Sequence, residues 1–127
     1  MKIVASIARI LLGVVFFVFG LNGFLNFIPM GPMPEGLAGQ FATVLMQSHY
    51  VLFVSALQVI GGALLLINRY VPLGLTILAP VIVNILLFHI LMNHTGLGLA
   101  IVVAILWCIV AYRERQYFSG LFVQKTE

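Results

Sequence analysis

The sequence predicts an all-α integral membrane protein, a four-helix bundle whose two termini both lie in the cytoplasm. Three observations lead to it. The composition is very apolar, and four long apolar stretches are separated by short polar breaks. If each stretch crosses the membrane once, all the basic residues lie on the same side of the membrane. Of the 127 residues, 63% are hydrophobic and 7% are charged, and the mean hydropathy is +1.21. Soluble proteins carry roughly 45–50% apolar and about 25% charged residues, so a soluble globular fold is excluded.

The four apolar stretches define the predicted membrane spans. A helix that crosses the hydrocarbon core needs about 20 apolar residues at 1.5 Å rise per residue. We predict spans at residues 10–28, 50–67, 73–92 and 97–112. Together they nearly exhaust the chain, and we therefore expect a single membrane domain over residues 1–127.

The connection between the first two spans, residues 29–49, is the longest. Its segment from Pro29 to Gly36, PMGPMPEG, ends the first helix and cannot begin another. The moderately apolar residues 37–48 predict a helix that lies at the outer interface or dips back into the bundle. This element is either a lid or docking surface or, as we favour, an interfacial helix that closes the bundle.

Basic residues set the orientation, because Lys and Arg are retained on the cytoplasmic side of a membrane. They precede the first span, lie between the second and third, or follow the fourth: Lys2, Arg9, Arg69, Arg113, Arg115 and Lys125. An even number of spans then places both termini in the cytoplasm and the other two connections outside. Arg9 is expected to snorkel to the inner interface, with an anionic headgroup or a buried polar group as alternative partners.

Small residues predict where the helices meet, because helix association in lipid depends on close backbone approach. On the first span, Gly13, Gly20 and Gly23 form one seam at helical spacing. On the second span, another seam falls on one side of the helix and consists of Ser55, Gln58, Gly61, Gly62 and Leu65. A single bundle with short turns satisfies both seams.

Five polar residues lie at depths where lipid is expected, and they are the candidate ligand-binding residues. Asn22 and Asn26 are on the first span, Gln58 is on the second, and Asn84 and His89 are on the third. Counted at 1.5 Å per residue from the outer ends, Gln58 lies roughly 12 Å deep, Asn22 about 9 Å and His89 about 5 Å. Such groups are costly unless they face the bundle interior and find partners. They form either a binding site in the outer half of the bundle or hydrogen bonds between helices, and for each residue taken singly we favour the second.

Acid–base chemistry would rest on His89, the candidate catalytic residue. The sequence contains no catalytic constellation around it, so whether the protein is an enzyme stays open. Successive helical residues turn by about 100°, so Asn84 and His89 differ by roughly 140° and cannot both face one axis without a wide cavity. A kink at Pro80, one turn before Asn84, would help.

Other function classes lack the residues that they require. Cys108 is the single cysteine, which excludes a disulfide or a thiol relay. We identify no metal site and no resident cofactor; haem held by His49 with His89 or His94 is a remote alternative. The net charge of +3 is spread over positions that flank the spans, so nucleic acid is not an expected partner. No acidic residue lies within a span, which makes transport the least supported class.

Several short motifs occur in order along nearly the whole chain. They are RILLG at 9–13, FGLNGF at 19–24, a Pro- and Gly-containing outer loop, Q-x-x-G-G-x-L-L at 58–65 and NRYVPL at 68–73. In sum they resemble the DoxX-like family of small bacterial four-helix integral membrane proteins. Members of that family usually carry a Lys or similar residue near Asn22 and a Glu at the position of Gln58. This chain has neither ionisable group, which argues against proton-linked or ion-pair chemistry at the two positions.

The resemblance implies a multi-pass protein of the bacterial inner (plasma) membrane with a connection to redox or sulfur stress, because the family name comes from a small subunit associated with a thiosulfate:quinone oxidoreductase. Our first hypothesis is a non-enzymatic accessory subunit or binder of a lipophilic small molecule, with quinone as the candidate. Its partners would be the lipid bilayer and either a redox partner protein or further copies of the chain. The alternative is a membrane enzyme in which His89 acts as acid or base while Asn22, Gln58 and Asn84 orient a lipophilic substrate, and small-solute transport is a distant third.

Overall fold

The computed structural model describes residues 2–26 and 35–122, and every regular element in these ranges is helical. There are five α-helices in this part of the chain: α1 (Lys2–Leu25), α2 (Gly36–Gln47), α3 (Tyr50–Ile67), α4 (Val71–Leu91) and α5 (Leu97–Arg113). Single 3-10 turns follow at His94–Gly96, Arg115–Tyr117 and Ser119–Phe122. The all-α prediction is confirmed.

Three of the described helices are long and apolar enough to cross a membrane, namely α1, α3 and α4. The 17 residues of α5 become a fourth candidate span when the short helical segment after it, bent by 74°, is counted with it. The predicted second, third and fourth spans agree with α3, α4 and α5 to within two residues at each end. Within the predicted connection at 29–49, residues 29–34 lie outside the described residues, and α2 occupies most of the remainder. Its position at a membrane interface stays a prediction.

The first helix differs from its predicted range of 10–28, because α1 begins at Lys2 and ends at Leu25. It begins earlier because Ile3, Val4 and Ile7 continue the apolar helix on the far side of Arg9. It ends at Asn26, whose φ of 52° is left-handed and whose backbone N–H donates to the Asn22 carbonyl over 2.8 Å. Asn tolerates this conformation better than most residues, so Asn26 terminates the helix. Residues 27 and 28 lie outside the described ranges.

The four longer helices contact one another in a ring, with α1 against α3, α3 against α4, α4 against α5, and α5 against α1. Neighbours in the ring run antiparallel. The Arg113 Nη1 atom donates to Ser6 Oγ over 3.1 Å, which joins the end of α5 to the start of α1. Lys2, Arg69 and Arg113 therefore lie at one end of the molecule, here called the basic end. The helix α2 and the 94–96 turn lie at the other, the α2 end.

The largest interface joins α1 to α3, and glycines bring the two backbones together. A Cβ atom built on Gly62 would lie 2.6 Å from the backbone N of Phe17 and 2.9 Å from the Gly13 carbonyl O. One built on Gly20 would lie 2.8 Å from the backbone N of Val59. No side chain fits at these separations. The seam predicted on the first span is therefore in contact with α3, where Ser55 and Gly62 meet it. The second predicted seam is divided, because Gly61 and Leu65 pack towards α4.

The opposite face of α3 packs on α4. A Cβ atom on Gly61 would lie 2.6 Å from Leu78 Cγ, and one on Gly74 would lie 3.2 Å from the Gly61 carbonyl O. Leu65, Leu75 and Leu78 are fully buried in the core between these helices. Further along, the Trp107 indole N–H donates to the Leu75 carbonyl over 2.9 Å and fixes α5 on α4.

Arg9 is half-buried in the second turn of α1 and bonds across the interface. Its Nη1 atom donates to the carbonyl of Leu65 near the end of α3. The negative end of the α3 dipole favours a cation there. Of the two alternative partners considered for Arg9, an anionic headgroup and a buried polar group, the structure shows the second. Among the described residues, Arg9 Nε is the buried side-chain polar atom that has no hydrogen-bond partner.

The Gly62→Ala substitution tests whether the α1–α3 contact determines the stability of the molecule. Because the added methyl group meets backbone rather than a flexible side chain, the helices must separate, at a cost of about 1–3 kcal/mol for overpacking. The measurement is the temperature at which half of the detergent-solubilised protein is lost from its monodisperse size-exclusion peak. We expect this temperature to be lower for Gly62→Ala than for wild type. The control is Gly98→Ala on α5, where a Cβ atom meets nothing within 4 Å and helix propensity improves by about 1 kcal/mol. Equal midpoints for the two variants would contradict the close contact.

Candidate functional site

A cavity of about 200 Å³ lies between α1, α3, α4 and α5. Phe16 and Phe19 of α1, Ile85 of α4, and Leu99 and Val103 of α5 line it with apolar surface. Two polar side chains, Gln58 and His89, also line it. The cavity extends from the middle of α3 towards the α2 end, and it is partly open to the surface of the molecule.

His89 is held by its own helix in a way that fixes the role of each ring nitrogen. Nδ1 lies 2.8 Å from the Ile85 carbonyl O. A carbonyl oxygen only accepts, so Nδ1 carries the hydrogen and, in the neutral ring, Nε2 carries the lone pair. The ring also meets Phe88 edge to face, with 5.2 Å between centroids. His89 therefore presents a fixed hydrogen-bond acceptor.

Gly96 makes room for that acceptor. A Cβ atom on Gly96 would lie 2.6 Å from His89 Nε2 and 2.9 Å from Cδ2. Gly96, which also lines the cavity, thus lies beside the edge of the ring that bears the lone pair, and its lack of a side chain leaves that edge uncovered. Gly96 lies in the short connection between the predicted third and fourth spans, and the sequence does not predict its place beside His89, because the contact depends on how the turn folds back over α4.

Gln58 supplies the second polar group. It lies in the middle of α3, half-buried, and its side chain makes no hydrogen bond to any residue in the described part of the chain. The Gln58 amide therefore offers both a donor and an acceptor to whatever enters the cavity. An amide at this depth in a membrane is costly if it stays unpaired.

The other candidate residues do not line this cavity. Asn22 is buried, with 8% exposure, and has an interaction of its own nearer the α2 end. Asn26 is exposed where it ends α1. Asn84 is exposed on the outer face of α4, and its Nδ2 donates to the Pro80 carbonyl over 2.8 Å. The angular separation of Asn84 from His89 therefore places the two side chains on different faces of α4, whereas Gln58 and His89 come together.

The other two histidines, His49 and His94, lie towards the α2 end. His94 Nε2 lies 2.7 Å from the Ile90 carbonyl. His49 is exposed, with a left-handed φ of 64°, at the start of α3. In the described ranges there is no group of three or more His, Cys, Asp or Glu residues that could hold a metal ion.

The size and lining of the cavity limit the molecules that it can bind. An apolar cavity of about 150 Å³ holds benzene, whereas pockets for drug-sized ligands reach roughly 300–1,000 Å³. At about 200 Å³ the cavity fits one substituted ring. A ring hydroxyl could donate to His89 Nε2, and a ring carbonyl could accept from the Gln58 amide.

The sequence of this chain is similar to that of a known protein family. The DoxX family model matches residues 4–92, which include Gln58 and His89. The chain is also similar to the uncharacterized protein YwoB of Bacillus subtilis (strain 168), with 30% identity over 131 residues that cover 98% of this chain and 85% of the relative. No solved structure matches the chain significantly.

The Gly96→Ala substitution tests the placement of His89. Because the new methyl group would lie within 3 Å of two ring atoms, we expect the ring to rotate and the Nδ1–H bond to Ile85 to weaken or break. Long-range ¹H–¹⁵N spectra of the three histidine side chains, assigned with His89→Gln, report the tautomer. Wild type should show Nδ1–H at His89, and Gly96→Ala should lose that signature while Gly98→Ala keeps it. An unchanged spectrum in Gly96→Ala would contradict the contact.

Proposed function

Because this chain belongs to the DoxX family, we propose that it is a multi-pass protein of the bacterial inner membrane that binds a lipophilic small molecule as an accessory component of a redox system. One observation carries the proposal: Gln58 and His89 line the same otherwise apolar cavity. Membrane proteins bury polar groups of this kind where they meet a substrate, an ion or one another.

A quinone has the chemistry that this pair of residues would recognise. Its ring matches the volume of the cavity, and its isoprenoid tail would leave through the open side into lipid. The oxidised form accepts hydrogen bonds at its carbonyls, which suits the Gln58 amide. The reduced form donates from its hydroxyls, which suits His89 Nε2. The two residues together can therefore hold either redox form.

An accessory role agrees with what surrounds His89. In the described structure its Nδ1 bonds to a backbone carbonyl rather than to a carboxylate, so no charged partner stabilises a protonated ring. A membrane enzyme that uses His89 as acid or base is the second candidate, and the lone pair of Nε2 at the cavity favours it. The two differ in outcome: an accessory binder returns its ligand unchanged, whereas an enzyme converts it.

We propose that the four longer helices all cross the membrane and that the basic end faces the cytoplasm. Every Lys and Arg in the described residues lies at or near the basic end: in the first two turns of α1, between α3 and α4, at the last residue of α5, or just after it. Basic residues are retained on the cytoplasmic side. Both termini are then cytoplasmic, and the cavity lies in the outer half of the membrane.

Reporter fusions test this orientation. A green fluorescent protein fused after Glu127 should fluoresce, since it folds in the cytoplasm, and alkaline phosphatase at the same position should be inactive. Alkaline phosphatase inserted at Gln47, at the end of α2, should be active. The opposite pattern would reverse the orientation, and equal activity at both sites would contradict the three crossings by α3, α4 and α5 that separate them.

Ligand binding is tested with the double variant Gln58→Leu/His89→Leu. Each lost hydrogen bond is worth about 0.5–1.5 kcal/mol, so we expect affinity for a short-chain quinone to fall by about tenfold or more. Saturable quenching of Trp107, the single tryptophan, measures it in detergent. The matched control is Asn84→Leu, which removes an outward-facing amide and should leave the affinity unchanged.

Native mass spectra of the protein as purified show whether it carries a ligand of its own. The absence of saturable quenching in wild type, or equal affinity in the double variant, would contradict the proposal. Turnover of the bound ligand that is lost in His89→Gln, with binding retained, would establish the enzymatic alternative.

A further inference from the structure

A second concave surface lies on the outside of the molecule, away from the cavity. It is a groove of about 500 Å³ with almost entirely apolar walls. Leu86 of α4 forms one wall, and the stretch of α5 from Ile101 to Tyr112 forms the other. Cys108, an exposed residue, lies midway along this α5 wall.

The length and direction of the groove match half of a bilayer. Ile101 and Tyr112 are 11 residues apart, which is roughly 16 Å along a helix. Half of a hydrocarbon core about 30 Å thick is about 15 Å. Tyr112 lies at the basic end, so the groove begins there and ends near the middle of the membrane. That is the depth which an acyl chain of the same leaflet occupies.

A positive charge is held at the mouth of the groove. The Arg115 guanidinium lies 4.2 Å from the centroid of the Tyr112 ring, and its Nη1 donates to the Tyr112 carbonyl over 2.7 Å. The chain bends by 74° after α5, which keeps Arg115 beside the mouth instead of beyond it. Arg113 lies close by, bonded to Ser6, and Glu114 between them is half-buried. Arg113 is engaged on α1, so the charge at the mouth rests on Arg115, which contacts Tyr112 of the groove.

We propose that this groove binds one anionic phospholipid, with an acyl chain along α5 and the phosphate on Arg115. A guanidinium group has five N–H donors, and Arg115 uses one on the Tyr112 carbonyl. The others are available to phosphate oxygens. The charge at the mouth selects anionic over zwitterionic lipids, and the apolar groove selects a lipid over a free phosphate.

The first test uses Cys108 as a reporter, because it is the single cysteine and lies within the groove. The rate of N-ethylmaleimide labelling is measured in mild detergent with phosphatidylglycerol or with phosphatidylcholine of the same acyl chains. A basic side chain near an anionic surface contributes about 1 kcal/mol, or about fivefold in affinity. We expect phosphatidylglycerol to protect Cys108 at about fivefold lower concentration. Arg115→Gln should abolish this difference, whereas Arg69→Gln, at the same end but outside the groove, should keep it.

Native mass spectrometry counts the bound lipids independently. Wild type should retain one phosphatidylglycerol molecule in preference to phosphatidylcholine. Cys108→Phe, which fills the groove, should lose it, while Val102→Phe on a neighbouring exposed face of α5 should not. Glycerol 3-phosphate, the headgroup without chains, should not protect Cys108. Equal protection by both lipids, protection by glycerol 3-phosphate, or protection that follows protein concentration through a dimer would each overturn the proposal.

Discussion

The close contact between α1 and α3 is the constraint on which the rest of the structure depends. In lipid the helices gain nothing by hiding apolar surface from one another, so their association depends on backbone proximity and hydrogen bonds. Gly20 and Gly62 allow that proximity. Gly61 and Gly62 are consecutive and therefore point about 100° apart, one towards α4 and the other towards α1. This pair makes α3 the helix that both neighbours pack against.

The same contact accounts for the candidate site. Gln58 is one turn before Gly62 and lies on the same face of α3, so the helix rotation that places Gly62 against α1 also turns Gln58 inward, beside Phe16 and Phe19. The exposed candidates outside the cavity have other structural roles. Asn26 ends its helix, and the Asn84 amide donates to Pro80 on its own helix. Gln58 has neither arrangement in the described structure, and its amide lines the cavity instead.

Much of this architecture could be predicted from the sequence. The helices and the glycine seam follow from apolar length and helical spacing, which are local properties. The start of α1 at Lys2 does not follow from apolar length, because Arg9 has the character of a span margin, whereas the Leu65 carbonyl allows a guanidinium group to lie inside the interface. The cavity was not predictable in detail. Gln58 and His89 were both identified as candidates, but their shared cavity, which excludes Asn84, depends on the rotation of four helices and on the position of Gly96.

The helix α5 separates two concave surfaces of different character, the cavity and the groove. Ala100 and Val103 face inward and line the cavity, while Ile101 and Cys108 face outward and line the groove. The cavity lies towards the α2 end and has two polar side chains, Gln58 and His89. The groove begins at the basic end, where its mouth has a positive charge. A neutral ring and an anionic headgroup would therefore be separated by depth, by charge and by opposite faces of one helix, so that lipid in the proposed groove would not compete for the cavity.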